Sequence, residues 1–234
     1  MLVRVGSLTG SNAATGEGRR SRAFLLADRF SAGGDVFAFD FRDMSAFVRH
    51  SATPANNFDG DARDLMTFSM ASPSPSASGI RVESGESVSL ALSKVSYSDA
   101  TVTMMVAGKC ESVTGQNYVM DVRASAASGN GQRNLYVSDG SPVFVASTGA
   151  VVVPSGSIAV GARFAIAAGL AANDAAASCN GGTVATDTTV TPQSGAALLR
   201  LGGVSGVLFD GYVEYGLIMP TRVSNSILQS MATL

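Results

Sequence analysis

From residue 80 onward, apolar and polar residues alternate in short runs broken by glycine, asparagine, aspartate and proline, as expected of strands that bury one face. The runs predict strands at 80–83, 87–92, 101–108, 118–124, 134–138, 143–148, 163–170 and 175–179. Turn signals stand between them: Ser98 with Asp99, Gly129-Asn130-Gly131, Asp139 with Gly140, and Pro154-Ser155-Gly156. The stretch 163–186 is rich enough in alanine to suit a helix, but Phe164, Ile166, Ala168 and Leu170 recur with a period of two. Asn173-Asp174 breaks that run and Asn180-Gly181 supplies a hairpin turn, so the strand reading wins. In 117–124 the same alternation places Val119, Asp121 and Arg123 on one face and Tyr118, Met120 and Val122 on the other.

The chain closes on LLRLGGVSGVLFDGYVEYGLIMPTRVSNSILQSM, residues 198–231. This reads as a strand over 198–201, a glycine-rich crossing, a long apolar strand over 212–219, a proline stop and a short amphipathic helix. Pro220 cannot donate to a ladder. Ser224 stands where it caps the helix, Val223 and Leu228 have the spacing of a hydrophobic staple, and Ile227, Leu228 and Met231 form an apolar face.

The first 79 residues read differently. A helix is predicted over 18–30, made basic by Arg19, Arg20, Arg22 and Arg29, which give either a solvated face or a docking surface for an acidic partner. Phe37, Phe39 and Phe41 then alternate with Ala38 and Asp40. Glycine-rich and proline-rich neighbours cannot bury these rings locally, so either a partner covers them or they form an extra strand of the same sandwich. Asp59, Asp61 and Asp64 invite a calcium reading, yet Arg63 and the absence of a closing glutamate break the loop pattern, and a turn with solvated carboxylates fits better. The segment SPSPSAS reads as a linker or exposed loop. The expected division is an N-terminal arm, attachment segment and linker over 1–79 and a sandwich over 80–234.

Composition agrees with a mainly β chain: 234 residues, 46% hydrophobic, 26 glycines and 15% charged. A net charge of −2 gives no broad basic field, which argues against nucleic acid as a partner. The run 158–172 is interrupted by Arg163 and too short to span a bilayer, and the N-terminus lacks the apolar core of a signal peptide, so a soluble protein is expected. Cys110 and Cys179 form neither a disulfide framework nor a zinc pattern, and we expect two free thiols. His50 is the only histidine, so no triad or metal cluster can be assembled, and no cofactor is implied. Glu214 is the only acid inside the long closing strand, which argues against a two-carboxylate glycosidase and for a chain that is not an enzyme.

The order RLGG … FDGYVEYGLIMPTRVSNSILQSM resembles the C-terminal end of the concanavalin/laminin-G-like jelly-roll domains of bacteriophage tail and fibre proteins, and RFAIAAGLAANDAAASCNGG resembles another of their strand pairs. The resemblance covers roughly residues 88–234. It implies an antiparallel, concanavalin-like β-sandwich with a short C-terminal helix, carried by a virion structural protein such as a fibre, spike or tail-tip component. It further implies other virion proteins as partners, a homotrimer as the first choice of assembly, and a lectin-like sandwich suited to host-surface glycan. Phe37, Phe39, Phe41, Arg19, Arg20 and Arg22 are then the attachment candidates. With no tryptophan and five tyrosines the aromatic platform is thin, and Tyr136, Tyr212 and Tyr215 are the candidates for a sugar. The alternatives are a secreted bacterial carbohydrate-binding module and a glycan-active enzyme on the same fold.

Overall fold

A computed structural model describes residues 21–70, 74–83, 85–125, 133–147, 150–202 and 209–233. The elements, in chain order, are α1 (Arg22–Phe30), β1 (Val36–Asp40), β2 (Ser45–Arg49), β3 (Phe58–Asp61), α2 (Ala62–Leu65), β4 (Thr67–Phe68), β5 (Ile80–Val82), β6 (Val88–Ala91) and β7 (Val102–Cys110). They continue with β8 (Gln116–Arg123), β9 (Arg133–Ser138), β10 (Ser141–Ser147), β11 (Ala150–Val152), β12 (Arg163–Ala171) and β13 (Asp174–Cys179). The last are β14 (Ala185–Asp187), β15 (Leu198–Leu201), β16 (Gly211–Met219) and α3 (Asn225–Met231).

Two antiparallel sheets face each other. The first runs β14-β13-β12-β7-β16-β1-β2-β3, with β5 also paired to β16; the second runs β11-β10-β9-β8-β15-β6-β4. Inner-facing Phe37, Phe39, Val106, Phe164, Ile166 and Ile218 of the first sheet share one core with Leu90, Met120, Val122, Leu135, Phe144 and Leu199 of the second. The alternation read in 163–170 therefore holds. The other face of the first sheet is also apolar, because helices cover it: Ala38, Met105, Ala107, Ala165, Ala167, Leu217 and Met219 pack with Ala23, Ala27 and Phe30 of α1 and with Leu228 and Met231 of α3. Strands covered on both faces lose the clean in/out alternation, which is why β7 and β16 read as nearly continuous apolar runs.

Each helix is fixed by its cap. Ser21 accepts from the Phe24 amide at 3.0 Å at the start of α1, and Ser224 accepts from the Ile227 amide at 3.4 Å at the start of α3. Leu228 and Met231 are buried as expected, whereas Ile227 is 39% exposed and stands outside the docking face.

The expectation of an attachment arm of phenylalanines is corrected. Phe37, Phe39 and Phe41 are fully buried within their own chain, with ring centroids 5.9 and 4.7 Å apart along β1 and Phe68 5.8 Å from Phe41. Their cover comes from β16, far away in sequence: β1 pairs with it antiparallel, Phe37 opposite Ile218 and Phe39 opposite Gly216. Gly216 is required there, since a Cβ would stand 2.5 Å from the Met105 carbonyl oxygen and 2.7 Å from the Phe39 ring. With β1 to β3 in one sheet and β4 paired to β6 in the other, residues 36–68 are part of the sandwich and the division at 79/80 does not separate an arm from it. Arg19 and Arg20 lie outside the described residues.

Cys110 and Cys179 are free and buried, and burial pushes both thiols up to about 12. Thiolate is the reactive species. Neither cysteine is therefore expected to react with iodoacetamide at pH 8 in the native protein, and both should react in denaturant; mass spectrometry of the intact chain reads the difference, and rapid native alkylation of either would contradict this burial.

Candidate functional site

The outer face of the second sheet carries a polar ladder that a β-bulge creates. The register of β8 against β9 shifts between Tyr118 and Met120, so Val119 and Met120 both enter the core while Tyr118 stays outside. One extra residue thus exchanges the faces that strict alternation assigns to Tyr118 and Val119. Beyond the bulge, Met120 and Val122 point inward opposite Leu201 and Leu199, which leaves Asp121 and Arg123 on the outer face. Arg200 of β15 stands directly opposite Asp121, with Ser89 of β6 on its other side and Asn134 of β9 beyond Asp121.

Charge in this ladder is unbalanced. Arg123 donates from Nε to Asp121 Oδ1 and from Nη2 to Oδ2, both at 2.7 Å, and both side chains are fully buried. Arg200, only partly buried, faces a carboxylate already engaged in that bidentate pair, and its Nε is buried without a hydrogen-bond partner. Burial and the neighbouring Arg123 both lower the pKa of Arg200. Two guanidiniums sharing one carboxylate in a partly desolvated face leave a surplus of positive charge, and an anionic oxygen is the group that would relieve it. Beside the ladder, Tyr118 and Tyr136 stack with centroids 4.9 Å apart and planes 9° from parallel, flanked by Val143 and Val145.

The three tyrosines singled out by sequence are not brought together. Tyr136 belongs to this stack, whereas Tyr212 and Tyr215 lie on β16 of the other sheet. Tyr212 packs under Arg81, 6.0 Å from the ring centroid, and Arg81 is itself paired with Glu83, Glu111 and Asp210 at 3.1, 2.9 and 3.3 Å. Tyr215 sits under α1 among arginines. Of the attachment candidates only Arg22 is described and exposed, on α1. Among the carboxylates considered for calcium, Asp61 caps α2 and pairs with Arg63, and Asp59 accepts from Ser21 Oγ at 2.6 Å. Among the described residues no group of three or more His, Cys, Asp or Glu is placed to hold a metal ion. Sequence reading passed over Arg200. Its signal was the pairing of an Asp-x-Arg strand with the arginine of the RLGG strand, whose adjacency only the sheet order reveals.

No family model matches the sequence, and no curated protein matches it. Solved structures do match in fold. Trypanosoma rangeli sialidase in complex with 2,3-difluoro-KDN superposes with a TM-score of 0.60 at 11% identity, over 84% of this chain and 32% of the sialidase. The CBM40 domain of the Ruminococcus gnavus IT-sialidase bound to α2,3-sialyllactose gives 0.50 at 14% identity, over 58% of this chain and 83% of that domain. NanB gives 0.50 at 13% identity, over 61% and 26%. The chain thus spans about a third of the length of the T. rangeli sialidase, and none of these neighbours is a bacteriophage protein. At such identities the likeness is one of architecture: the chain is an antiparallel β-sandwich of the concanavalin type.

Proposed function

We propose that this chain is a carbohydrate-binding β-sandwich that takes an acidic sugar on the outer face of its second sheet. The observation that carries this reading is Arg200, a guanidinium with no partner at Nε beside an Asp121–Arg123 pair that already satisfies itself. Arg200 receives the sugar carboxylate, Arg123 adds its field from behind, and Tyr118 and Tyr136 offer aromatic surface at the rim. The solved neighbours include a CBM40 domain bound to α2,3-sialyllactose, which supports a glycan of that charge as the first ligand to try.

Binding fits better than cleavage. Glu214, Asp121 and Asp40 are each engaged by an arginine, Arg163, Arg123 and Arg42 respectively, so each carboxylate is already committed to an ion pair within the fold. Burial also pushes the Tyr215 hydroxyl above its usual range, away from the phenolate that a nucleophile requires.

In the wider reading, the sandwich is the adhesion module of a virion fibre, spike or tail-tip protein, displayed as a trimer and assembled with other virion proteins. That context rests on the resemblance of the closing segment to phage domains. Light scattering on the purified chain tests the trimer, and a monomer at micromolar concentration would remove it.

For the sugar site, isothermal titration with α2,3-sialyllactose and with lactose is the test. We expect binding of the acidic sugar alone, and at least a tenfold loss in Arg200→Ala with a melting temperature within a few degrees of the parent. Equal binding of lactose, or full affinity in Arg200→Ala, would overturn the assignment.

A further inference from the structure

On the opposite side of the molecule α1 overhangs the first sheet and leaves a cleft of about 450 Å³. It is lined by Arg22, Leu25, Leu26 and Arg29 from the helix and by Asp40, Arg42, Arg163 and Tyr215 from the sheet. The helical members recur at i, i+3, i+4 and i+7, so they share one face, with Arg22 and Arg29 about 10.5 Å apart along the axis. Ala23, Ala27 and Phe30, one position further on, are the docking face.

The floor depends on a second β-bulge. The register of β16 against β7 shifts between Val213 and Tyr215, which turns both Glu214 and Tyr215 outward and restores Leu217 and Met219 to the helix-covered side. Glu214 accepts from Arg163 Nε at 2.8 and 3.0 Å and lies 2.8 Å from Arg163 Nη2, which also donates to the Tyr215 hydroxyl at 3.0 Å. Arg42 donates from Nε and Nη2 to Asp40 at 2.9 and 2.5 Å, and its Nη1 lies 3.8 Å from Glu214. The Arg42 guanidinium also rests 4.4 Å over the Tyr215 ring. Asp40 and Glu214 are 1% and 6% exposed, while the Arg42 and Arg163 side chains are 25% and 47% exposed.

Burying two carboxylates to hold two half-exposed arginines is a poor route to stability, because desolvation offsets most of the Coulomb gain. It is an effective way to lock guanidiniums in place. Arg22 and Arg29 add charge that no carboxylate side chain neutralises among the described residues; the Arg29 guanidinium rests 5.1 Å from the Phe30 ring. Four arginines against Asp40 and Glu214 leave a surplus of two positive charges around the cleft.

We propose that this cleft is a second ligand site, distinct from the Arg200 face, and that it takes a phosphate-bearing sugar. A phosphomonoester carries about −1.5 to −2 charges at pH 7 and three acceptor oxygens. That matches the surplus, whereas a single carboxylate would leave it half neutralised. Arg42 and Arg163 on the floor and Arg22 and Arg29 on the wall converge on the phosphate, and Leu25 and Leu26 contact the apolar face of the ring. Leu25 is 55% exposed, which a sugar seated here would reduce.

The test is titration calorimetry of the full chain at low ionic strength with glucose 6-phosphate, inorganic phosphate, glucuronate and glucose. We expect one equivalent of glucose 6-phosphate to bind more tightly than inorganic phosphate, glucuronate to bind at least tenfold more weakly, and glucose not to bind. Arg163→Ala strands Glu214 and can disturb the fold, so the deciding variant is Arg22→Ala/Arg29→Ala, whose side chains make no ion pair among the described residues. It should lose at least tenfold in affinity with an unchanged melting temperature, and Arg200→Ala should lose nothing. Full affinity in the double variant, glucuronate bound by Arg200→Ala as tightly as glucose 6-phosphate, or loss of glucose 6-phosphate affinity in Arg200→Ala would each overturn the proposal. Because the Arg200 site is read with a carboxylated sugar, failure of one site leaves the other standing.

Discussion

Phe39→Ala should cost the protein about 3–5 kcal/mol, the range for truncating a phenylalanine in a packed core. Phe39 is fully buried between its neighbours Phe37 and Phe41 and lies against Gly216 of the closing strand. Truncation leaves a cavity between β1 and β16 that neither the hydrogen-bonded ladder nor glycine can fill. Gly216→Val should be at least as damaging for the opposite reason, since its side chain would enter space held by the Met105 carbonyl and the Phe39 ring. Denaturant unfolding followed by circular dichroism measures both, and a midpoint unchanged by either substitution would mean that β1 is not part of the core. On the same argument, a fragment of residues 80–234 should show no cooperative unfolding, because it strips β16 of its β1 partner and exposes the inner face that Phe37, Phe39 and Phe41 cover.

Asp121→Ala is expected to be comparably costly, about 3–5 kcal/mol, because it removes one partner of a buried ion pair and leaves the other charged. Arg123 would lose both of its 2.7 Å bonds to the carboxylate while facing Arg200 with no intervening negative charge. Burial raises the Asp121 pKa against the opposing pull of Arg123, and taking two charges out of water costs about as much as their attraction returns. The double variant Asp121→Leu/Arg123→Met should therefore regain most of the lost stability, since it removes both charges together. Thermal unfolding of Asp121→Leu, of Arg123→Met and of the double variant closes the cycle. A double variant as unstable as Asp121→Ala would show that the pair contributes more than its burial costs. The comparison also separates positioning from binding: Asp121 and Arg123 hold the ladder, whereas Arg200→Ala removes the group offered to ligand.

Local pattern determined much of this molecule. Period-two alternation located β8 and β12 to within a few residues, apolar runs bounded by turn signals located β7 and β13, the 198–201 strand matches β15, and Ser224 marked the start of α3. These features follow from contacts within a few residues of each other, where side-chain direction and capping chemistry are set by the chain itself. Strands whose partners are remote were harder to read. β2 and β3 were missed because Ser45–Arg49 is buried on both faces and FDGD carries two carboxylates, so neither shows the alternation of a half-buried strand. The phenylalanines of β1 showed that they needed cover, but a choice between a partner and the closing strand depends on the sheet order, which joins residues nearly 180 positions apart.

The candidate sites lay further from reach. Each needs a bulge, at Tyr118–Met120 and at Val213–Tyr215, and one inserted residue reverses every face beyond it without leaving a mark in composition. Sequence by itself determined that the chain is mainly β with a capped terminal helix, because short-range periodicity and residue chemistry suffice for that, and the resemblance added the sandwich. Only the tertiary structure decided that the N-terminal strands complete the core, and that Arg200 meets Asp121 and Arg123 while Arg42 and Arg163 meet Glu214, because register and strand order are set by burial across the whole sandwich.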